Sequence, residues 1–84
     1  MQSAVNDTGG TAMQTKTVGE RIKYLRDQNH MTQKALARRL YVSDKTVASW
    51  EADRTEPRIL FIIELSALFH VSLNYLLMGK DYTS

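Results

Sequence analysis

Four hydroxyl side chains, each just before a stretch with helical spacing, constrain the fold of this chain more than any other feature. They are Thr17, Thr32, Ser43 and Ser72. Serine and threonine are favoured directly before a helix because their oxygen accepts a hydrogen bond from a backbone N–H of the first turn. Thr17 carries the stronger signal, since Glu20 follows it at the spacing of a capping box. The sequence therefore predicts several short helices.

Apolar residues follow these caps at intervals of three and four, which is the spacing of one helix face. The residues predicted to face inward are Val18, Ile22 and Leu25; Leu36, Ala37 and Leu40; Val47 and Trp50; Ile59, Ile62, Ile63, Ser66 and Phe69; and Leu73, Leu76 and Leu77. Pro57 separates the third helix from the fourth, and Gly79 ends the fifth. Helices this short are unstable alone in water. The pattern therefore predicts an all-α fold of five helices that pack on one another.

The flanks of the chain carry no such spacing. Residues 1–16 contain Gly9-Gly10 and several small polar residues, and they are predicted to form a flexible N-terminal arm. Residues 17–79 form the predicted domain, and residues 80–84 form a C-terminal tail. A chain of 84 residues has room for one small core, so we expect a single domain.

The composition argues against several classes of protein. No apolar run approaches the ~20 residues that cross a bilayer, so no membrane association is predicted. The chain has no cysteine, which removes disulfides and thiolate metal sites and fits a cytoplasmic protein. His30 and His70 lie far apart without ligand-like neighbours, so neither a metal nor another cofactor is predicted. No phosphate-cradling glycine loop or nucleophile–base set stands out, so no enzyme is predicted.

The distribution of charge is more informative than its total. The net charge is only +2, which is too small to indicate a nucleic-acid partner. Residues 20–54 carry eight basic and five acidic residues, whereas residues 55–84 carry two basic and three acidic ones. The positive charge therefore lies in the middle of the chain. A solvated helical surface would explain the same bias, so charge alone does not decide the function.

The middle of the chain resembles the helix-turn-helix of the phage repressor and Cro family, also called the xenobiotic-response-element family. The residues that carry the resemblance are QKALARRLYVSDKTVASW, at positions 33–50. Other segments resemble the family in the same order: Val18-Gly19-Glu20-Arg21-Ile22, Leu25-Arg26, Trp50-Glu51, Glu56-Pro57, Val71-Ser72-Leu73 and Leu76-Leu77. The resemblance covers residues 17–79. It implies a compact five-helix, lambda-repressor-like DNA-binding domain of a bacterial or phage transcription regulator, with repression as the favoured direction.

The resemblance also implies which side chains read the bases. The recognition helix, at about residues 43–52, is expected to enter the major groove with its N-terminal end toward the base edges. The residues placed outward by the motif are Ser43, Asp44, Lys45 and Ser49. Lys45 suits guanine O6 or N7, and Asp44 is able to accept from cytosine N4. The alternative for Asp44 is a purely structural charge that stabilises the start of the helix.

Four further residues are implied to contact the DNA backbone. In resembling proteins the glutamine at the position of Gln33 bridges a phosphate and the recognition helix. Thr46 and Arg54 are phosphate candidates, with plain solvent exposure as the alternative. Arg58 follows Pro57 and is expected to reach a phosphate or the minor groove.

The resemblance implies an ion pair between Arg26 and Glu51 beneath the recognition helix. We expect this pair to fix the angle between the first and third helices. Removing one partner would leave a partly buried charge, which can cost several kcal/mol.

Four positions at which this family commonly has glycine carry other residues here. They are His30, Tyr41, Asp53 and His70. Each lies at a helix end where a left-handed residue is expected, and a residue with a Cβ costs roughly 1 kcal/mol there, less for aspartate. Tyr41, inside the turn of the motif, is expected to be the least comfortable.

A second copy of the chain is an expected partner. One recognition helix reads only about four or five base pairs, which is too few to select a site in a genome. We therefore expect a weak homodimer, strengthened on a palindromic operator in double-stranded DNA, with the two recognition helices ~34 Å apart. Resembling repressors use the fifth helix for this contact, and the predicted interface residues are Ile59, Leu73, Tyr75 and Leu76.

Leu60 and Phe61 occupy positions on the fourth helix that are usually polar in this family. Adjacent bulky apolar residues outside the core indicate either a surface for a protein partner or packing against the N-terminal arm. They keep a second function open, which is an antitoxin-type or other protein-interaction module on the same fold. Gln33, Lys45 and Arg54 favour DNA binding.

Overall fold

The fold consists of five α-helices. In the computed structural model, which describes residues 17–80, they are α1 (Val18–Gln28), α2 (Gln33–Leu40), α3 (Asp44–Glu51), α4 (Ile59–Phe69) and α5 (Leu73–Met78). No strand occurs within residues 17–80, so the predicted all-α fold is confirmed. None of these helices is long and apolar enough to cross a membrane. The predicted arm, residues 1–16, and residues 81–84 of the predicted tail lie outside the described residues.

All four predicted caps are confirmed. The side chains of Thr17, Thr32, Ser43 and Ser72 accept hydrogen bonds from the backbone N–H groups of Glu20, Ala35, Thr46 and Tyr75. Thr17 and Glu20 form a complete capping box, since the Glu20 carboxylate accepts in return from the Thr17 N–H at 3.2 Å. α4 lacks this device, because Arg58 precedes it without a side-chain hydrogen bond to the helix.

The core is one cluster to which all five helices contribute. Its buried apolar members are Ile22, Leu25, Leu36, Ala37, Leu40, Val47, Trp50, Ile62, Leu65, Phe69 and Leu76. Every residue predicted to face inward from α1, α2 and α3 lies in this cluster or, as Val18 does, packs against it. Those predictions are confirmed.

The predicted inward face of α4 is partly wrong. The residues that α4 buries are Ile62, Leu65 and Phe69, and the spacing did not single out Leu65. Ile59 is 58% exposed, and Ile63 is exposed as well. The cause is that α4 is apolar around most of its circumference, so several sets of residues fit helical spacing equally well.

Leu60 and Phe61 do not form the exposed pair that the sequence predicts. Leu60 is 68% exposed, but Phe61 is half-buried and packs against the core. The Phe61 ring centroid lies 5.3 Å from that of Trp50, with 47° between the ring planes. Neighbouring residues of a helix are turned by about 100° from each other, which carries the second side chain inward.

α5 buries one side chain, that of Leu76. Leu73 and Leu77, which the spacing predicts to face inward, are exposed. The prediction of Leu76 at the dimer contact is also wrong, because its exposed fraction is 0%. Arg21 holds this short helix to α1: its Nε donates to the Leu76 carbonyl at 2.8 Å, and its Nη2 donates to the Leu77 carbonyl at 3.0 Å.

The four predicted left-handed residues are confirmed. The φ angles are 56° at His30, 60° at Tyr41, 59° at Asp53 and 58° at His70. At each of these ends, the next backbone N–H reaches back five residues to a helix carbonyl: Met31 to Arg26, Val42 to Ala37, Arg54 to Ser49 and Val71 to Ser66. At the ends of α1, α2 and α3 the left-handed residue also donates to the carbonyl three residues earlier, which completes the Schellman pattern without glycine. At the end of α4 the His70 N–H donates to the Ser66 carbonyl instead.

Candidate nucleic-acid interface

α3 packs on the core with one side and leaves the other side open. Val47 and Trp50 are buried, and the helix packs against α1 and α2. Asp44 and Lys45, in its first turn, are exposed. Neither of these two side chains pairs with another residue within the described part of the chain. The open side of α3 therefore presents one acceptor and one cation that have no partner among residues 17–80.

A buried polar network holds the C-terminal end of α3. Arg26 Nε donates to Glu51 Oε2 at 2.7 Å, and Arg26 Nη2 donates to Glu51 Oε1 at 3.0 Å. The third contact of the guanidinium is with the Met31 carbonyl, at 2.7 Å from Nη1. Gln33 Nε2 donates to Glu51 Oε1 at 3.0 Å. The network joins α1, the start of α2 and the end of α3 through one carboxylate.

The network places two opposite charges largely out of contact with water. Arg26 and Glu51 are both buried. The hydrogen bonds that the Arg26 guanidinium donates to Glu51 raise the pKa of Arg26. The attraction of the Glu51 and Asp27 charges raises it further, and burial opposes the shift. Arginine therefore stays charged, and its charge is matched by a carboxylate with bidentate geometry. The angle between α1 and α3 is fixed by directional bonds in addition to apolar packing.

A second contact ties the end of α3 to the start of α1. Asp53 Oδ2 accepts from the Thr17 hydroxyl at 2.7 Å, and Asp53 Oδ1 accepts from the Gly19 N–H at 3.2 Å. Gly19 is required here, because a Cβ at this position would overlap the Trp50 carbonyl oxygen. Sequence reasoning did not find this contact. The available signal was a glycine within a helix, which often marks a close approach of two backbones.

Two of the predicted base-reading residues are engaged within the protein. The Ser43 hydroxyl caps α3, accepting from the Thr46 N–H at 3.1 Å, and lies 2.9 Å from the Thr46 hydroxyl. The Ser49 hydroxyl lies 2.9 Å from that of Thr55, in the loop after α3. Thr55 was not singled out by the sequence, because a lone threonine in a loop carries no motif.

The predicted phosphate-contacting residues surround α3. Gln33 is half-buried and bound to Glu51 at the C-terminal end of the helix, whereas Thr46 lies in its first turn. Arg54 and Arg58 are exposed in the loop between α3 and α4, and neither pairs with another described residue. The structure thus brings these four side chains to the two ends of α3 and the loop that follows it. Their contacts with DNA stay predictions.

No group of three His, Asp or Glu side chains within residues 17–80 is arranged to hold a metal ion. Two of the predicted dimer residues, Ile59 and Leu73, are exposed, and Tyr75 is half-buried.

Comparison with known proteins identifies the class to which this arrangement belongs. The family model described as Helix-turn-helix matches residues 22–76. The chain is 37% identical over 71 residues to the HTH-type transcriptional regulator DicA of Escherichia coli (strain K12), covering 82% of this chain and 53% of DicA. It is 36% identical over 67 residues to Repressor protein C2 of Salmonella phage P22, covering 80% of this chain and 31% of C2. The chain thus spans about half the length of these curated relatives, or less.

A solved structure gives the same result in three dimensions. The P22 c2 repressor protein, crystallised in complex with synthetic operator 9T in the presence of Tl+, superposes with a TM-score of 0.73 and 35% sequence identity. The match covers 79% of this chain and 100% of that one.

Proposed function

This chain belongs to the helix-turn-helix family, and we propose that it binds double-stranded DNA sequence-specifically as the DNA-contacting part of a transcription regulator. α3 is the recognition helix and enters the major groove. Repression is the direction that we favour, since one relative is named a repressor and the similar solved structure is a repressor on its operator. The relatives come from a bacterium and a phage, so the proposed place of action is the bacterial cytoplasm.

The observation that carries the proposal is the contrast between the anchored C-terminal end of α3 and the open side of the same helix. The C-terminal end is tied to α1 and α2 through Arg26, Glu51 and Gln33, so the helix is presented as a rigid element. The open side carries Lys45, whose ammonium has no partner among residues 17–80. A cation on such a helix suits the O6 and N7 acceptors of guanine, and Asp44 beside it suits the N4 amino group of cytosine.

Phosphate contacts are assigned to Gln33, Thr46, Arg54 and Arg58. Glu51 accepts one hydrogen of the Gln33 amide, which leaves the second hydrogen for a phosphate oxygen. The guanidinium groups of Arg54 and Arg58 are exposed and have no competing partner within residues 17–80. Contacts of this kind set the register of the protein on the duplex without reading its sequence.

Two measurements test this function. Selection of bound duplexes from a random pool is expected to enrich one sequence. Titration of a mixed-sequence duplex at several salt concentrations is expected to give a log–log slope of roughly −3 to −5 per protomer, from about three to five phosphate contacts. A slope near zero, or no binding at low salt, contradicts DNA binding.

We also propose that two copies bind one palindromic operator through α5. Leu73 and Ile59 supply exposed apolar surface, and Tyr75 is half-buried beside Leu76, which itself contributes no surface. Such a small contact barely offsets the entropy of association, so the dimer is weak without DNA. Sedimentation with and without operator tests this on Leu73→Asp, with Leu60→Asp as the matched control on α4. If Leu60→Asp loses the dimer and Leu73→Asp keeps it, the contact lies on α4.

A protein partner on α4 is the second candidate function. Leu60 is 68% exposed, and Ile59 and Ile63 extend its apolar surface along the same helix. Such a patch is common at protein contacts. The titration above separates the two candidates, because a protein-interaction module that does not use DNA would bind no duplex at low salt.

A further inference from the structure

The hydroxyl pair between Ser49 and Thr55 is the feature that the proposed function leaves unused. Ser49 belongs to α3 and is half-buried, whereas Thr55 lies in the following loop and is exposed. Their oxygens are 2.9 Å apart. Ser49 follows Lys45 by four residues, so the two side chains share one side of the helix. A residue that the sequence predicts to contact bases is therefore in direct contact with a loop residue.

The loop that carries Thr55 is fixed against α3 by its backbone and by α1. The Arg54 N–H donates to the Ser49 carbonyl at 3.0 Å, and the Asp53 N–H donates to the Trp50 carbonyl at 3.0 Å. The Asp53 carboxylate is held in turn by the Thr17 hydroxyl. Thr55 thus follows two residues that are bonded in place, and its hydroxyl is presented to Ser49 by a defined turn.

The direction of the hydrogen bond follows from the burial of the two partners. A serine hydroxyl has one hydrogen to donate and two lone pairs. The exposed Thr55 hydroxyl is able to give its own hydrogen to water, whereas the half-buried Ser49 hydroxyl has Thr55 as its one hydrogen-bond partner within residues 17–80. A hydrogen left without a partner costs more for the more buried group. Either hydroxyl is able to donate in this geometry, and the difference in burial favours Ser49 as the donor and Thr55 as the acceptor.

On the DNA binding proposed above, we infer that Thr55 is a specificity-determining positioning residue, which restricts the Ser49 hydroxyl to accepting hydrogen bonds from a base. An unrestricted serine serves every base edge, since it donates or accepts as required. With its hydrogen committed to Thr55, Ser49 retains only lone pairs. It then favours the exocyclic amino group of adenine or cytosine over the O6 and O4 acceptors of guanine and thymine.

The experiment compares Thr55→Val, Thr55→Ser, Ser49→Ala and the double variant Ser49→Ala/Thr55→Val. Selection from a random duplex pool first locates the position at which the wild type and Ser49→Ala differ. Competition between two duplexes that differ only there then gives an affinity ratio for each protein. The wild type is expected to favour adenine or cytosine roughly threefold to tenfold, the range of one hydrogen bond. Thr55→Val is expected to lose most of that ratio, whereas Thr55→Ser keeps it.

The double variant decides whether Thr55 acts through Ser49. Thr55→Val on the Ser49→Ala background is expected to leave the ratio unchanged. The inference is overturned if Thr55→Val retains the wild-type ratio, if Thr55→Ser loses it, or if the preferred base is guanine or thymine. A wild type that enriches no sequence overturns the proposed function and the inference together. If the wild type selects a site but Thr55→Val gives the same affinity ratio as the wild type, the inference alone is overturned.

Discussion

A left-handed residue ends each of the helices α1, α2, α3 and α4. The residue that follows this turn at the end of α3 differs in kind from the residue at the three other ends. After α1, α2 and α4 that residue is apolar and packs, partly buried, against the core: Met31, Val42 and Val71. After α3 it is Arg54, and it is exposed. An apolar contact at this position frequently accompanies such a turn. The α3 end therefore lacks a contact that the three other ends have.

Polar contacts take the place of that apolar contact at the α3 end. Of the four left-handed residues, Asp53 is the one whose side chain forms hydrogen bonds within residues 17–80, and it caps the start of α1. Two residues earlier, Glu51 binds Arg26 and Gln33. At the ends of α1, α2 and α4, the residue after the turn packs against the apolar core. At the end of α3, which is proposed to meet DNA, the residue after the turn is the cation Arg54. Hydrogen bonds to α1 and α2 stabilise this end instead.

The largest expected effect is the loss of stability when the pair of Arg26 and Glu51 is broken. Glu51→Ala is expected to lower the free energy of unfolding by about 3–5 kcal/mol, because it leaves the Arg26 guanidinium buried without its counter-charge. Urea unfolding monitored by circular dichroism measures the loss. Glu64→Ala is the control, since Glu64 is exposed on α4 and has no partner among the described residues. A loss below about 1 kcal/mol would mean that apolar packing alone fixes the α3 end.

Lys45→Ala tests the open side of α3. We expect a loss of about 1–3 kcal/mol on the preferred duplex and a weaker discrimination between sequences, because Lys45 is assigned to a base edge. Competition binding against single-base variants of the selected site measures both effects. Equal losses on every duplex would assign Lys45 to the phosphate backbone.

Arg54→Met makes the α3 end resemble the α1 end, where Met31 follows the turn. Stability is expected to stay within about 0.5 kcal/mol of the wild type, because Arg54 is exposed and has no partner within residues 17–80. DNA binding is expected to weaken on specific and mixed duplexes alike, with a salt slope reduced by about 1. The slope is the decisive readout, and an unchanged slope would remove Arg54 from the phosphate contacts.

The features that the sequence predicts well here are the local ones. Thr17 and Glu20 cap α1 because their bonds span three residues, and the same holds for the other caps. Tyr41 and His70 were expected to be left-handed from their positions in a resembling pattern, and they are. Such features depend on a few neighbouring residues and on backbone sterics, so a short stretch of sequence contains all the information.

The features that were missed depend on contacts between distant residues. Leu65 is buried in place of Ile63 because the other helices cover only one side of α4, which is apolar around most of its circumference. The bond between Gly19 and Asp53 joins residues 34 positions apart, and neither residue type indicates the other. The contact of Ser49 with Thr55 arises only after the turn at the end of α3 has formed.

Asp53→Gly tests whether backbone strain or the hydrogen bonds of the Asp53 side chain has the larger effect at the end of α3. Glycine removes the strain at φ 59°, but it also removes the carboxylate that accepts from the Thr17 hydroxyl and the Gly19 N–H. Aspartate tolerates the left-handed region better than most residues, so the lost cap outweighs the relief and we expect a net loss of about 1 kcal/mol. Thermal melts measure it. Asp53→Asn, which keeps one acceptor oxygen, is expected to fall between glycine and the wild type.

The smallest expected effect is at the end of α2, where the side chain of the left-handed residue Tyr41 forms no hydrogen bond within residues 17–80. The Tyr41 side chain is 95% exposed, and Tyr41 is held at φ 60°. Tyr41→Gly removes the clash of the Cβ in the left-handed region, but it also increases the freedom of the unfolded chain. The balance is expected to leave the domain as stable as the wild type, or more stable by up to about 1 kcal/mol.

Tyr41→Ala separates the two contributions, because alanine removes the ring and keeps the Cβ. If strain governs this end, Tyr41→Ala melts at or below the wild type while Tyr41→Gly melts above alanine. A loss of more than about 1.5 kcal/mol in Tyr41→Gly, matched by Tyr41→Ala, would show that the ring packs usefully in solution. The ends of α2 and α3 would then be alike in using the side chain of the turn residue, and the difference would be confined to the residue that follows.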